Sequence, residues 1–122
     1  MSDSILHLTS RLAWSAAQAH GQYSADSLAG QGFIHCSKVD QILRVADSFY
    51  NGQSGLVLLL IDPQLLKSEL RWEPGTDLAS ELFPHIYGPI NLEAVLQMLD
   101  FEPAADGKFH LPNPWISPGA DC

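Results

Sequence analysis

The fold is decided by Leu56-Val57-Leu58-Leu59-Leu60-Ile61, the longest apolar run in the chain, which follows a cluster of turn-forming residues at 51–55. An apolar run without alternation is typical of a strand that is buried on both faces. Asp62-Pro63 comes directly afterwards and is typical of a turn. We therefore predict that residues 56–61 form the central and most buried strand of a β-sheet.

Upstream of this run, the sequence predicts two units in which a short strand leads into a helix. In the first unit the strand is Ile5–Thr9, and Ser10 caps a helix over Arg11–Ala19. In the second unit the strand is Gly32–Cys36, and Ser37 occupies the cap position. Apolar residues then recur at helical spacing, namely Val39, Ile42, Leu43, Ala46 and Phe49.

Downstream of the central strand, the pattern predicts mainly strands. A short helical turn over 64–67 precedes strands over 69–73 and 81–87, which are bounded by Pro and Gly. Residues 94–101 fit helical spacing as well as a strand. We favour a hairpin in which this segment pairs with 108–111 across an Asp-Gly turn.

Length and composition agree with a single domain. A chain of 122 residues, 46% of them apolar, is long enough to bury roughly two-thirds of its unfolded surface. We predict one α+β domain over residues 1–112 and an irregular tail over residues 113–122, where Pro, Asn, Gly and Ser dominate. Cys36 and Cys122 are too few for a disulfide framework, so we predict free thiols, with Cys36 packed in the core.

Charge and hydropathy argue against two classes of partner. The net charge of −8 repels phosphate backbones, which disfavours extended binding of DNA or RNA and leaves room for a small local site. The longest apolar run is six residues, whereas a membrane-spanning helix needs about 20. The first residues do not read as a secretory signal, so a cytoplasmic location is the default expectation. The sequence leaves the oligomeric state open.

Three of the predicted strands carry a histidine: His7, His35 and His85. Alternate residues of a strand point to the same face, so each histidine shares a face with residues two positions away. His7 lies opposite Leu6 and Leu8, which we expect to face the core. The groups that share a face are His7 with Thr9, then Phe33, His35 and Ser37, and finally Phe83, His85 and Tyr87.

Such a face suits a planar ligand such as a nucleotide, because imidazole donates hydrogen bonds and stacks on flat rings. Each histidine taken alone also fits a structural role. A zinc site is the rival interpretation, but His35 and Cys36 point to opposite faces and no Cys-x-x-Cys or His-x-x-x-His pair exists, so we expect no metal. Glu73 and Glu81 stand near strand ends, either as solvated charges or as a general base or ribose ligand.

Three motifs resemble a known family. They are Ile5-Leu6-His7-Leu8-Thr9, Gly32-Phe33-Ile34-His35-Cys36-Ser37 and Phe83-Pro84-His85-Ile86-Tyr87-Gly88-Pro89-Ile90. Together they are similar to the bacterial family named domain of unknown function 952, over about residues 4 to 112. The name of that family carries no activity.

That family is in turn distantly similar to the ADP-ribosyltransferase superfamily, which includes the RNA 2′-phosphotransferases. The resemblance implies a split, mostly antiparallel β-sheet with flanking helices and a cleft that takes NAD. It also implies that His7 holds a ribose and that His35 lies beside the nicotinamide. Many members place a glutamate in the third motif, where this chain has His85 with Tyr87, and Glu81 is four residues away.

The leading hypothesis is an enzyme of the ADP-ribosyltransferase-like class, a transferase or glycohydrolase acting on NAD or a related nucleotide. We predict catalytic roles for His7, His35 and His85, and NAD binding by His7, Thr9, His35, Ser37 and Tyr87. Loss of His7 or His35 should then cost activity without unfolding the domain. The alternatives are a non-catalytic module that binds a nucleotide or a protein, and a metal-dependent hydrolase that uses the three histidines.

Overall fold

Leu56–Ile61 is a strand in the middle of a sheet, as predicted. The computed structural model describes residues 4–75 and 81–110. Its elements in chain order are β1 Ile5–Ser10, α1 Arg11–His20, β2 Gln22–Tyr23, α2 Asp26–Gln31, β3 Ile34–His35, α3 Val39–Phe49, β4 Leu56–Ile61, β5 Glu69–Pro74, β6 Leu82–Tyr87, β7 Ile90–Asn91 and β8 Val95–Asp100, with 3-10 turns at Pro63–Leu65 and Leu92–Ala94.

Strand β4 lies between β1 and β8, and it is antiparallel to both. This first sheet is covered on both faces, which explains why β4 is apolar throughout. On one face Val57, Leu59 and Ile61 pack with α1 and with the second sheet. On the other face Leu56 and Leu58 pack against α3 and the segment after β8. Two apolar clusters therefore share the same central strand.

A second three-stranded sheet has the order β3-β6-β5, and β2 pairs with β7 in a small ribbon. Every strand pair among the described residues is antiparallel. The backbones of the two larger sheets are joined at an isolated bridge, where Leu6 and Ser37 exchange two hydrogen bonds of 2.8 Å. The result is a single α+β domain with split, antiparallel sheets, as predicted, and its described residues contain three helices, one more than the sequence indicated.

The predicted cap of the first helix, Ser10, is confirmed, whereas the predicted cap of α3, Ser37, is wrong. The Ser10 hydroxyl accepts a hydrogen bond from the Ala13 amide at 3.0 Å. Lys38, one residue after the predicted position, caps α3, and its amide donates to the Gln41 side chain at 2.9 Å. Ser37 is unavailable as a cap because its backbone belongs to the bridge with Leu6.

Three further differences concern short elements. Helix α2 and the two-residue strands β2 and β7 were not predicted, and the strand predicted over 32–36 shortens to Ile34–His35. Residues 95–100 form a strand, but the predicted hairpin is wrong, because β8 pairs with β4 and residues 108–110 form no strand. Leu111 and the predicted tail over 113–122 lie outside the described residues.

The Tyr87-Gly88-Pro89 turn packs tightly against the chain before β5. A Cβ added to Gly88 would clash with the Ser68 hydroxyl and lie 2.9 Å from Ser68 Cβ. The Ser68 hydroxyl itself donates a hydrogen bond of 2.7 Å to the Pro89 carbonyl. Only glycine fits this close approach, which holds the end of β6 beside the start of β5.

Candidate functional site

His7 lies near the middle of β1, and its side chain is buried against the second sheet. Its Nδ1 atom is 2.6 Å from the His35 carbonyl oxygen, and its Nε2 atom is 2.8 Å from the Tyr23 hydroxyl. The Tyr23 hydroxyl is also 2.9 Å from the Thr9 hydroxyl. The predicted alternation is correct, since His7 points away from Leu6 and Leu8. Both sides of β1 are core, however, so His7 does not face solvent.

Burial lowers the pKa of His7 from 6.5 to about 4, and this effect outweighs the hydrogen bond to the His35 carbonyl, which raises the pKa. His7 is therefore neutral at physiological pH. A neutral ring that donates from Nδ1 to a carbonyl must accept at Nε2, so the Tyr23 hydroxyl donates to it. His7 thus connects β1 to β2 and β3 by hydrogen bonds.

The low pKa of His7 makes stability depend on pH. In the unfolded chain this ring takes up a proton near pH 6.5, whereas in the folded protein it does so only near pH 4. The contribution of the neutral His7 ring to the free energy of unfolding is therefore complete above pH 6.5, and it is lost as the pH falls from 6.5 to 4. We expect the free energy of unfolding to drop by up to about 3 kcal/mol over this window, measured by urea unfolding.

The pKa of His35 is also lowered, so this ring adds to the loss of stability in the same window, whereas the carboxylates act at lower pH. Hydrogen bonds from Tyr87 and then His85 lower the pKa of Glu73, and Arg44 and then Gln41 lower that of Glu81. Because both values lie below 4.5, these carboxylates lose their contribution at lower pH than His7 does. NMR titration of the His7 ring would assign the transition. A stability that stayed flat from pH 7 to pH 5 would contradict the burial of a neutral His7.

His35 stands beside His7 with its side chain partly exposed. Its Nε2 atom is 2.7 Å from the Gln31 side-chain oxygen, so a neutral ring donates there and leaves Nδ1 as an acceptor. Partial burial, followed by the neighbouring His85, lowers the pKa of His35. The His35 and His85 rings lie edge to face, with their centroids 5.3 Å apart. Phe33 stacks on His85 at 4.2 Å.

His85 is buried in the middle of β6 and is paired with a carboxylate. Its Nδ1 atom is 2.9 Å from a Glu73 oxygen, and the Tyr87 hydroxyl donates to the same oxygen at 2.6 Å. Glu73 lies on β5, the neighbouring strand. The guanidinium of Arg71 lies 4.3 Å above the Tyr87 ring and forms an ion pair with Glu69. Glu73 therefore orients both His85 and Tyr87.

Two cavities adjoin these residues, and we call them together the cleft. The smaller cavity, of about 310 Å³, is lined by Leu6, His7, Leu8, Thr9, Ser10, Tyr23, Ala25, His35, Ser37, Ile42, Val45, Tyr50, Gln53 and Leu56. The larger cavity, of about 560 Å³, is lined by His35, Cys36, Ser37, Arg44, Val45, Ser48, Phe49, Tyr50, Gly75, Phe83 and His85. They share a wall that contains His35 and Ser37.

The cleft brings together most of the residues predicted for the site. His7 and Thr9 line the smaller cavity, His85 lines the larger one, and His35 and Ser37 line both. Tyr87 lines neither cavity, because its hydroxyl is directed to Glu73 behind His85. The three predicted histidines thus lie along one line of contacts, with His35 in the middle.

The other candidate groups fall into different places. Within residues 4–75 and 81–110, no three His, Cys, Asp or Glu side chains are arranged to hold a metal ion. Both ring nitrogens of His7 are already bonded within the protein. Cys36 is a free thiol in the core, as predicted, and burial raises its pKa. His20 and His110 are exposed.

Three residues of the site were missed or left undecided by the sequence. Tyr23 carries no motif, and only its pairing in β2 brings it to His7. Arg44 lines the larger cavity, where its guanidinium is 2.7 Å from Glu81. Glu73 can be recognised as a candidate from the sequence, because the charged residues Glu69, Arg71 and Glu73 occupy alternate positions of β5 and so share one face. Its pairing with His85 depends on the register between β5 and β6, which the sequence does not give.

Comparison with known proteins gives a family and a fold. Residues 8–98 match the model of the family described as protein of unknown function, DUF952. The chain is similar to the X-ray crystal structure of protein CC0527 from Caulobacter crescentus, with 37% sequence identity and a TM-score of 0.76. The match covers 88% of this chain and 94% of the CC0527 chain. The solution NMR structure of CC0527 gives 32% identity, 95% coverage of each chain and a TM-score of 0.75.

No functionally curated protein matches the chain. Among the described residues, no helix is long and apolar enough to cross a membrane. The family predicted from the three motifs is therefore confirmed. The more distant likeness to ADP-ribosyltransferases stays a prediction.

Proposed function

The chain belongs to the DUF952 family, whose description assigns no activity, and from the geometry of the cleft we propose an enzyme of the ADP-ribosyltransferase-like class that acts on NAD or a related nucleotide. The observation that carries this proposal is the position of His35. It stands in the wall between the smaller and the larger cavity, in contact with His7 on one side and His85 on the other.

The smaller cavity is suited to a ribose. Its wall presents hydroxyl groups from Thr9, Ser10, Tyr23 and Ser37, together with the neutral ring of His7. Vicinal sugar hydroxyls both donate and accept hydrogen bonds, and hydroxyl side chains can act as either the acceptor or the donor. Since His7 is already bonded to Tyr23, the ribose would meet the hydroxyls of Thr9 and Tyr23, with His7 fixing their positions.

The larger cavity is suited to a planar ring. Phe83, Phe49 and Val45 supply apolar surface, and His35 and His85 supply ring edges and nitrogen atoms. A flat heterocycle gains from stacking and from a few oriented polar groups, which is the usual composition of ligand pockets. A nucleotide whose ribose occupies the smaller cavity and whose ring occupies the larger one would place its anomeric carbon beside His35.

At that position the protein can assist the loss of a ring from the anomeric carbon. The reacting sugar becomes oxocarbenium-like and positively charged, so neutral and hydroxyl-bearing walls that exclude water favour it through positioning. The low pKa values of His7 and His35 keep both rings neutral near pH 7. Neither ring then opposes the developing positive charge.

Calorimetric titration with NAD, with ADP-ribose and with adenosine tests the proposal. We expect saturable binding of NAD and ADP-ribose with a dissociation constant at or below about 1 mM. Thr9→Val removes one hydroxyl at nearly constant volume and should weaken binding about tenfold, the cost of one lost hydrogen bond with its partner left unpaired.

The matched control is Ser54→Ala, which also removes one hydroxyl group but lies outside the cleft. It should leave binding unaltered because Ser54 is exposed and does not line either cavity. Far-UV circular dichroism would show that each variant is folded. No detectable binding at several millimolar NAD and ADP-ribose would overturn the nucleotide proposal.

A second candidate function is a nucleotide-binding module without turnover. The observation that favours it is that His7 has both ring nitrogens committed to Tyr23 and to the His35 carbonyl, so it acts as a support. Prolonged incubation with NAD, with nicotinamide measured by chromatography, separates the two functions. Saturable binding of NAD without release of nicotinamide would select the binding module over the enzyme.

A further inference from the structure

We infer that Glu73, His85 and Tyr87 form a proton-accepting unit for the larger cavity, which activates the hydroxyl of a nucleophile, either water or an alcohol. In this unit His85 is the catalytic residue, and Glu73 and Tyr87 are positioning residues. The inference rests on the proposed function for the identity of the electrophile, a ribosyl carbon that bears a nitrogen leaving group. The unit itself rests on the pairing of β5 with β6 and on the hydrogen bonds of Glu73.

The three residues are brought together by the pairing of β5 with β6. Glu73 is opposite Phe83, and Arg71 is opposite His85, so Glu73 is a diagonal neighbour of His85 on the same face of the sheet. Tyr87 is two residues beyond His85 and points to that face as well. A regular antiparallel register therefore fixes the distances, with no loop involved.

Glu73 determines which nitrogen of His85 carries the proton. Two hydrogen bonds to one Glu73 oxygen, from Tyr87 and then from His85, lower the pKa of the carboxyl, so it is ionised at neutral pH. An ionised carboxylate only accepts hydrogen bonds. The proton of a neutral His85 ring therefore resides on Nδ1, and Nε2 carries a lone pair.

That lone pair is open to the larger cavity. Within residues 4–75 and 81–110, no buried side-chain nitrogen or oxygen lacks a hydrogen-bond partner. Nε2 of His85 has no partner among these residues, so this atom is accessible, and the space that His85 borders is the larger cavity. A base with one nitrogen oriented by a carboxylate and the other facing a cavity is the arrangement that activates hydroxyl nucleophiles.

The step that follows is balanced in atoms and charge. The nucleophile oxygen forms a bond to the ribosyl carbon while its O–H bond breaks, and the proton passes to His85 Nε2. The bond from the ribosyl carbon to the ring nitrogen breaks, and its electron pair leaves with the departing nicotinamide. Glu73 stabilises the imidazolium of His85, which afterwards returns its proton to solvent. With water the products are ADP-ribose and nicotinamide.

Steady-state release of nicotinamide from NAD, measured in full-length protein, provides the first test. His85→Gln should lower kcat by about 10²- to 10⁴-fold, the usual contribution of a general base. Glu73→Gln should lower kcat by about 10²-fold with KM changed less than threefold, because it acts through His85. Glu69→Gln, a matched change on the same strand without contact to His85, should leave kcat unaltered.

The second test needs no ligand. Nitrogen-15 NMR of the His85 ring in the free protein should show the proton on Nδ1, and Glu73→Gln should move part of the population to protonation on Nε2. Protonation of the wild-type ring on Nε2 would overturn the inference whether or not a nucleotide binds.

The two proposals fail in different ways. Nucleotide binding and turnover that persist in His85→Gln and Glu73→Gln would overturn the proton-accepting unit and leave the proposed function standing. Protonation on Nδ1 without any nucleotide binding would support the unit and remove NAD as its substrate. Turnover lost in both variants with binding retained would support both proposals.

Discussion

Replacing His7 with alanine should lower the free energy of unfolding by about 3 kcal/mol, because the change removes two hydrogen-bond partners and leaves a cavity. The His35 carbonyl would lose the bond from Nδ1, and the Tyr23 hydroxyl would lose its bond to Nε2. His7 is only 7% exposed, so water replaces these partners poorly. The total free energy of unfolding of a domain is about 5–15 kcal/mol, so this loss is a large fraction of it.

Urea unfolding at pH 7 would measure the loss, with His110→Ala as the matched control. His110 is exposed, so its removal should change stability by no more than about 0.5 kcal/mol. Equal stability of the two variants would show that His7 does not hold the strands together. The structure thus leads us to expect a loss of stability where the sequence led us to expect loss of activity alone.

Replacing Leu59 with alanine should cost about 2–5 kcal/mol, the usual range for a buried leucine. Leu59 is fully buried in β4, and it packs in the same apolar cluster as Ile34 and Ile86 from the second sheet. The cavity left behind would lie at the junction of the two sheets, where neighbouring strands cannot move inward independently. We therefore expect a loss in the upper half of that range.

Leu96→Ala is the matched control for this prediction. Leu96 is on β8, and it is 54% exposed, so its truncation should cost less than about 1 kcal/mol. Both variants can be compared by thermal unfolding in one buffer. Similar melting temperatures for the two alanine variants would contradict the assignment of β4 as the buried centre of the sheet.

The sequence predicted those elements whose pattern is local. Strand β4 was recognised because both of its faces are apolar, and the shared face of His85 and Tyr87 followed from alternation alone. Strands β2 and β7 have two residues each, so they carry no periodic pattern and exist only because they pair with each other. The cap of α3 was misplaced because Ser37 is engaged by Leu6, which is distant in sequence.

The candidate site was predicted to the same extent. His7, Thr9, His35, Ser37 and His85 were named for the cleft, whereas Tyr23 and Arg44 were not, and the contacts of all of them depend on register and packing. Glu73 reaches His85 only because β5 pairs with β6 in one particular register. Burial of His7 results from the second sheet lying over β1, which no property of residues 5–9 indicates.

The bridge between Leu6 and Ser37 determines how the cleft can respond to a ligand. These two residues lie beside His7 and His35, and their mutual hydrogen bonds tie the two sheets together where the cavities share a wall. Opening the sheets would break both bonds, at a cost of about 1–3 kcal/mol. The bridge therefore holds the two walls of the cleft together without a ligand, and binding under the proposed function would carry little cost of ordering the site.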